Sequence, residues 1–502
     1  MNKLLIVLMI VLMFFSGVPH LMGEHTQTET IILNCTQTNG LINHFSEINC
    51  GPLPNSDFNV KVDLTKQFKE IGMEYIRTHD FSGPTDINMI FPDFSDDPLL
   101  PSSYNFTSSD EQIKGIIDAG CKVFYRLGES ASMEPAHRQP PVDFDKWADI
   151  CKHVIMHYND GWADGFFYDI EYFEIWNEPD LKGFWNGTAE QYYALYHTTV
   201  ETLKSYDPSL KIGGPCTSSI YNEDFTTRFL TYVIEHDLPL DFFSWHMYAN
   251  HPHDLYNGSL YVRSLLDSYG FSAALNINTE WNINIGFPQR DKDNAKNAAF
   301  TASSLIVFQD ADIDYSYRYR ANADDNWLMR CIGFDLSLFS PYGEFKTPAL
   351  IYKIMNLMEK ETPLRLQSPM MDALSGCTYL AGISEDGSNL SILISTYEAG
   401  DNKYQINIDD VPWASNYTLY QYVIDEYTDF TIRQIIVSDA STCEFNDTIQ
   451  ESTVHFIRIT NMTRIPEEGP DTYDIPHLLK LKILDVPRLL IAMMIMNVFF
   501  NI

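Results

Sequence analysis

The chain has 502 residues, of which 45% are apolar and 14% aromatic, and its 68 acidic against 33 basic side chains leave a formal charge of −35. That composition excludes a disordered chain, and the length favours two or three domains over one. So acidic a surface repels phosphate backbones and no run of Lys and Arg offsets it, so nucleic acid is not an expected partner.

Residues 1–23 read as a signal peptide: Lys3, an apolar run from Leu4 to Phe15, then Ser16, Gly17 and Gly23 near a cut. The run is shorter than the ~20 residues a membrane span needs. Asn-x-Ser/Thr sequons at Asn34, Asn105, Asn186, Asn257, Asn389, Asn416, Asn446 and Asn461 fit an exported chain, secreted or held at the cell surface. After an N-terminal segment (24–54), residues 55–360 alternate between helical and extended patterns. Leu64, Phe68 and Ile71 mark a helix stopped by Gly72, and the strand Met73 to Thr78 follows. Ile113, Ile116 and Ile117 lead through Gly120 to the strand Lys122 to Leu127, and Phe144, Trp147, Cys151 and Val154 to Tyr172 to Trp176. Tyr192 to Leu203 precedes Leu210 to Gly213, and Phe225, Phe229 and Val233 precede Asp241 to Trp245. Tyr261 to Leu266 leads to Leu275 to Thr279, Ala295 to Phe308 to Asp314 to Tyr319, and a last helix follows Pro348.

With an opening strand near His44 to Asn49, repeated strand-helix units over this length predict an α/β fold, a (β/α)8 TIM barrel. Neither G-x-G-x-x-G after an early strand nor a P-loop occurs, which removes the common nucleotide folds. Residues 361–463 carry short β-rich runs, Ser391 to Thr396, Tyr417 to Val423 and Thr453 to Ile459, and predict a C-terminal accessory antiparallel β domain. Residues 464–502 read as a linker and an apolar tail. For Leu489 to Ile502 a surface helix giving membrane association, a removable anchor signal and a docked helix stay open. The eight cysteines are too dispersed for a disulfide scaffold. Cys35 with Cys50 and Cys377 with Cys443 are candidate pairs, each lying within one segment, with the connectivity left open, while Cys121, Cys151, Cys216 and Cys331 read as small buried residues. No zinc-ligand or thiol-redox spacing occurs, so metal ligands are not expected.

In a barrel of this kind catalysis sits at the C-terminal ends of the strands. Two such ends carry a glutamate beside Trp and Asn: Phe173-Glu174-Ile175-Trp176-Asn177-Glu178-Pro179-Asp180 and Asn278-Thr279-Glu280-Trp281-Asn282. Two carboxyl groups across a cavity can cleave a glycosidic bond, one protonating the leaving oxygen and the other attacking the sugar carbon. An isolated Glu more often caps a helix or meets a surface cation; the Trp-Asn-Glu-Pro run is what shifts the balance.

The stretch Phe173 to Trp185 resembles the acid/base motif of glycoside hydrolase family 39, which holds the β-xylosidases and α-L-iduronidases. The resemblance continues through Tyr193, Asp207-Pro208, Gly213-Gly214-Pro215, Tyr75 to His79, Tyr104 to Thr107, Asp241 to Tyr248 and Thr279 to Asn282. It implies a barrel with an accessory β domain, Glu178 as acid/base, Glu280 as nucleophile, and Asn177 at the sugar 2-hydroxyl. His79 and His246 match sugar-site positions, and Tyr248 shares a strand face with His246. Trp185 and Phe184 either stack on a sugar or pack under a loop. Where the xylosidases resemble Ser-Tyr-Trp, this chain has Ser316-Tyr317-Arg318, so Arg318 is a candidate clamp for a substrate carboxylate; an ordinary ion pair is the bland alternative. Phe124 to Glu129 also departs from the family's usual third-strand end. The leading expectation is thus a retaining β-xylosidase-like hydrolase with a carbohydrate substrate and no cofactor. A uronidase and a non-hydrolytic sugar-binding protein stand behind it.

Overall fold

The computed structural model describes residues 28–54, 62–79, 83–130, 138–322, 335–367, 377–413, 416–438 and 443–461. The expected signal peptide, the 464–502 linker and tail, and Cys331 lie outside these residues. Among the described residues no helix is long and apolar enough to cross a membrane.

Two strands, β1 (Thr28–Asn34) and β2 (Thr38–Leu41), precede the barrel. The barrel closes in parallel from β3 (Glu47–Asn49), β4 (Tyr75–Arg77), β5 (Lys122–Leu127), β6 (Tyr172–Ile175), β7 (Lys211–Thr217), β8 (Phe242–Ala249), β9 (Leu275–Ile283) and β10 (Tyr315–Arg318), with β10 returning to β3. The first strand therefore falls within His44 to Asn49, ahead of the boundary at residue 55.

Local chemistry sets the intervening helices. Helix α1 (Thr65–Ile71) stops at Gly72, whose left-handed φ of 69° a residue with a Cβ would resist. Helix α2 (Thr107–Asp118) precedes β5. Helix α3 (Phe144–Asp160) starts where Asp143 accepts from the Lys146 amide, and α4 (Ala189–Tyr206) starts with a Thr188–Gln191 capping box. Helices α5 (Glu223–Glu235) and α6 (Pro252–Ser268) follow, the latter with Pro at its first turn. Helix α7 (Ala295–Phe308) is buried at every described position but Lys296, because it lies between the barrel and a second sheet. Its Ser303 bonds Ser395 Oγ at 3.0 Å, and Ser395 donates to the Ala299 carbonyl at 2.9 Å. Helix α8 (Ala349–Glu361) ends the barrel region.

The accessory β structure continues with β11 (Leu364–Leu366), β12 (Cys377–Ile383), β13 (Asn389–Thr396), β14 (Asn402–Asp409), β15 (Tyr417–Ile424), β16 (Thr431–Ser438), β17 (Cys443–Ile449) and β18 (Thr453–Thr460). A seven-stranded antiparallel sheet runs β16-β15-β18-β13-β12-β11-β2, and a three-stranded one β1-β14-β17. Ile31, Leu33, Ile392, Ile406, Leu419 and Phe445 share the core between them. The N-terminal segment thus completes the C-terminal domain, with β1 parallel to β14.

That topology overturns the candidate disulfides. No bond joins Cys35 to Cys50 or Cys377 to Cys443, and all four are buried. Cys35 follows β1 and its amide bonds the Asp409 carbonyl, while Cys443 pairs with Ile408 in the next register. Cys35 is thus brought near Cys443 instead, and Cys50 sits at the barrel mouth, donating to the His79 carbonyl at 2.8 Å.

Candidate active site

Alternation along the barrel strands stacks two layers inside. The lower is apolar: Tyr75, Phe124, Tyr172, Phe242, Ile277 and Tyr317 form one cluster. Gly213 belongs at this level, because a Cβ there would lie 2.2 Å from the Phe242 carbonyl. Above it the same strands carry Arg77, Glu174, His246 and Glu280, all buried.

Arg77 ties this upper layer together. Its Nε donates to Glu174 Oε2 at 2.8 Å, its Nη1 to Asn49 Oδ1 and Glu280 Oε1 at 3.0 Å each, and its Nη2 to Asn177 Oδ1 at 2.8 Å and Cys216 Sγ at 3.1 Å. Burial works against its charge, but the facing Glu174, Cys216 and Glu280 outweigh it and hold the guanidinium protonated.

Glu178 and Glu280 face one another. One oxygen of each, with one ring nitrogen of His246, lie within 4.8 Å of one another. His246 Nδ1 is 2.7 Å from Glu178 Oε1 and 3.6 Å from Glu280 Oε2. Tyr248 donates to Glu280 Oε2 at 2.7 Å, and His79 Nε2 lies 3.5 Å from Glu280 Oε1. The backbone at this rim is bent to suit: Trp176, Glu178 and Cys216 have φ of 73°, 44° and 54°, left-handed values that cost a non-Gly residue. The Glu178 amide is held by the Cys216 carbonyl at 2.9 Å.

The two carboxyls are tuned differently. Burial and then Asp180 push Glu178 up to about 8, against a smaller pull from Arg77. Burial raises Glu280 as well, with Glu178 adding to it, while Arg77 and the Tyr248 hydroxyl oppose that shift, as a proton on His246 would. Burial first and Arg77 second hold His79 well below the usual histidine range; burial also lowers His246. Both imidazoles are therefore neutral at pH 7. Among the described residues, Asn177 Nδ2 and His79 Nδ1 are buried without a hydrogen-bond partner. Substrate hydroxyls would satisfy both.

Of the residues singled out from sequence, Glu178, Glu280, Asn177, His79, His246 and Tyr248 converge here. Trp185 and Arg318 do not. Trp185 is 1% exposed, set edge-on to Trp176 at 5.0 Å, with its indole donating to the Thr188 carbonyl at 2.9 Å. It packs under the loop, and the neighbouring half-buried Phe184 ring is the one beside His79, at 6.1 Å. Arg318 lies outside the barrel: its guanidinium stacks over Trp281 and donates to Thr301, Asn282 and Asn297. Tyr317 faces inward instead. Burial among these neutral partners pushes Arg318 down to about 10. It holds no substrate carboxylate. Arg77 and Cys216 are the residues sequence reasoning missed; Arg77 stands two after Tyr75 on the same strand, at its C-terminal end, and that position was the available signal.

Glu178, His246 and Glu280 are close enough together to meet a cation. Their atoms are already committed, however: both Glu280 oxygens accept from Arg77 and Tyr248, and Arg77 supplies the positive charge. The donor set therefore fits a two-carboxylate hydrolytic site better than a resident metal.

Comparison with known proteins agrees with this geometry. The family model for glycosyl hydrolases family 39 matches residues 33–362. A β-xylosidase of Geobacillus stearothermophilus is 28% identical over 285 residues, 50% of this chain and 54% of that protein. A β-xylosidase of Caldicellulosiruptor saccharolyticus is 30% identical over 244 residues, 45% of this chain and 47% of that one. The matched region thus spans about half the length of these curated relatives. The solved glucosidase of Croceicoccus marinus shares the fold with a TM-score of 0.73 at 24% identity, covering 88% of this chain and 100% of that one.

Proposed function

Since the chain belongs to glycosyl hydrolases family 39, we propose that it is an exported retaining glycosidase acting on β-xylosides or related β-glycosides. The observation that carries this reading is that one carboxyl oxygen of Glu178 lies within 4.8 Å of one of Glu280. An inverting pair, which must admit a water between its carboxyls, stands ~6.5–9.5 Å apart, whereas a retaining pair stands ~5–5.5 Å apart. The β-xylosidase relatives support the sugar class. The part of the uronidase argument that rested on Arg318 loses its support with that residue's position behind the strand.

Glu178, protonated at rest, gives its proton to the glycosidic oxygen as Glu280 attacks the anomeric carbon. The C–O bond to the leaving group breaks, and a glycosyl ester forms on Glu280. Glu178, now a carboxylate, takes a proton from water whose oxygen attacks the same carbon and releases Glu280. Arg77 and Tyr248 favour the ionised form of Glu280 against its burial and aim it. The free amide N–H of Asn177 is available to the 2-hydroxyl, where a hydrogen bond strengthens in the transition state. These steps draw on no metal or organic cofactor.

The test is a panel of aryl glycosides: β-xyloside, β-glucoside, β-galactoside, α-L-arabinoside, α-L-iduronide and β-glucuronide. Release from the β-xyloside should fall by ~10⁴-fold or more in Glu280→Ala, and by ~10²–10⁴-fold in Glu178→Ala for a poor leaving group. The basic limb of kcat/KM should lie near the Glu178 value of about 8, since activity is lost as that proton leaves. Release from uronides alone, or activity surviving in both variants, would overturn the reading.

A further inference from the structure

The reaction gives no role to the thiol beneath its acid. Cys216, at the end of β7, is fully buried, with Sγ 3.1 Å from His246 Nε2, 3.1 Å from Arg77 Nη2, 3.5 Å from Asn177 Oδ1 and 3.8 Å from Thr279 Oγ1. A guanidinium can only donate, so Sγ accepts from Arg77. The thiol has one hydrogen to place, and burial keeps it on sulfur at neutral pH. Asn177 Oδ1 already accepts from Arg77 at 2.8 Å. His246 Nε2 is as near to Sγ as Arg77 is, and Sγ is its partner among the described residues.

The opposite ring nitrogen decides which way the bond runs. Nδ1 faces Glu178 Oε1 at 2.7 Å and Glu280 Oε2 at 3.6 Å. A bare lone pair there would oppose the Glu280 carboxylate, whereas an N–H is favoured by both acids. The other charged groups acting on His246 are Arg77 on β4, Glu174 on β6 and Asp180 beyond it. Tyr248 on its own strand, His79 beyond β4 and Thr279 on β9 complete the surroundings. Burial, with Arg77 adding to it, opposes a second proton on the ring against the pull of Glu280, so one tautomer must be chosen rather than the imidazolium formed.

We propose that Cys216 is a positioning residue that donates its S–H to His246 Nε2 and so keeps the proton on Nδ1, which donates to Glu178 Oε1. The inference rests on Glu178 as the acid/base. The donor chain then runs one way, from Arg77 N–H to Sγ, from S–H to Nε2, and from Nδ1–H to Oε1. Oε1 is thereby kept an acceptor in both halves of the cycle, and Oε2 is the oxygen that gives the proton to the leaving group and later takes one from water. In the reverse tautomer Nδ1 would accept the Glu178 O–H, turning the catalytic proton away from the substrate.

The experiment compares wild type, Cys216→Ala and Cys216→Ser on phenyl and dinitrophenyl glycosides of the sugar that wild type hydrolyses best. It adds nitrogen NMR of isotopically labelled histidine to read the His246 tautomer. In Cys216→Ala Nε2 loses its donor, so the share of rings carrying the proton on Nε2 should rise against the pull of the two acids on Nδ1–H. The loss in kcat/KM should then be ~10-fold or more greater for phenyl, which needs acid catalysis, than for dinitrophenyl, which does not. Its basic limb should shift to higher pH, because Nδ1 then stabilises protonated Glu178. Cys216→Ser restores an O–H donor and should recover the tautomer, the leaving-group ratio and the limb together. Equal losses on both substrates, an unmoved limb, a serine variant that behaves like alanine, or a wild type already protonated at Nε2 would each overturn the proposal. If wild type hydrolyses none of the panel glycosides, the functional reading fails, and the tautomer comparison still decides where Cys216 sends its proton.

Discussion

On β4, Tyr75 enters an aromatic layer while Arg77, two residues on, enters a charged one; β6 repeats the step from Tyr172 to Glu174, and β8 makes it in two such steps, from Phe242 past Ser244 to His246. The floor holds the strands together by filling space, and the mouth holds charges where water cannot relax around them. The difference shows in partners. Floor rings meet stacked, tilted or edge-on at 4.9–5.9 Å, as Phe124 does with Tyr172, Phe242 and Tyr317 and Tyr75 with Tyr172, and ask little of each other's exact chemistry. Mouth groups are interlocked through Arg77, so each is correct only while the others are. A substitution in the floor should cost stability and spare the chemistry, whereas one in the mouth should cost both.

Arg77→Met is the severest break. It leaves the fully buried Glu174 without its counter-ion, a loss of about 3–5 kcal/mol in urea unfolding. It also frees Glu280 and Asn177 from their shared donor, so kcat/KM should fall by ~10²–10³-fold. Arg77→Lys restores charge without the fork and should recover stability better than activity. Phe124→Ala is the matched break below: about 3–5 kcal/mol in the same unfolding experiment, with kcat within a few-fold of wild type well below the melting temperature. Equal effects of the two on kcat would abolish the distinction between layers.

The same two-residue period explains what could be read in advance. The helix that Gly72 stops and the helix from Ala295 to Phe308 were legible because local chemistry writes them. Trp176-Asn177-Glu178-Pro179 was legible because few structural roles demand that run. Facing was legible only where the period is unbroken. On β10 the period holds, with Tyr317 facing in and Arg318 therefore out, so aligning Arg318 on a motif misplaces it; the extra residue lies on β9, where Ile277 and Glu280, three apart, both face in. Trp185 sits on a loop, where no period applies. Nothing local tells that Thr28–Asn34 joins a strand almost four hundred residues away, and the disulfide expectation failed for that reason: proximity along the chain was taken for proximity in space. Cys216 was read as a small buried residue, which it is; its four polar neighbours come from β4, β8, β9 and the turn after β6, and no sequence interval links them.

Arg318 gives the finest test of the comparison, because it is a buried charge that belongs to neither layer. Its partners Thr301, Asn282 and Asn297 are neutral and Trp281 covers its face, so desolvation is offset only by hydrogen bonds and stacking. Arg318→Met removes the desolvated charge and keeps the volume, but leaves the Asn282 and Asn297 carbonyl oxygens short of a donor. These terms oppose, so stability should change by no more than about 2 kcal/mol in either direction. Kinetics decide the point that matters. With the guanidinium behind the strand, KM for a neutral glycoside and the ratio of uronide to neutral turnover should both stay at the wild-type value. A rise in uronide KM alone would bring Arg318 back into the substrate cavity and return the carboxylate clamp to consideration.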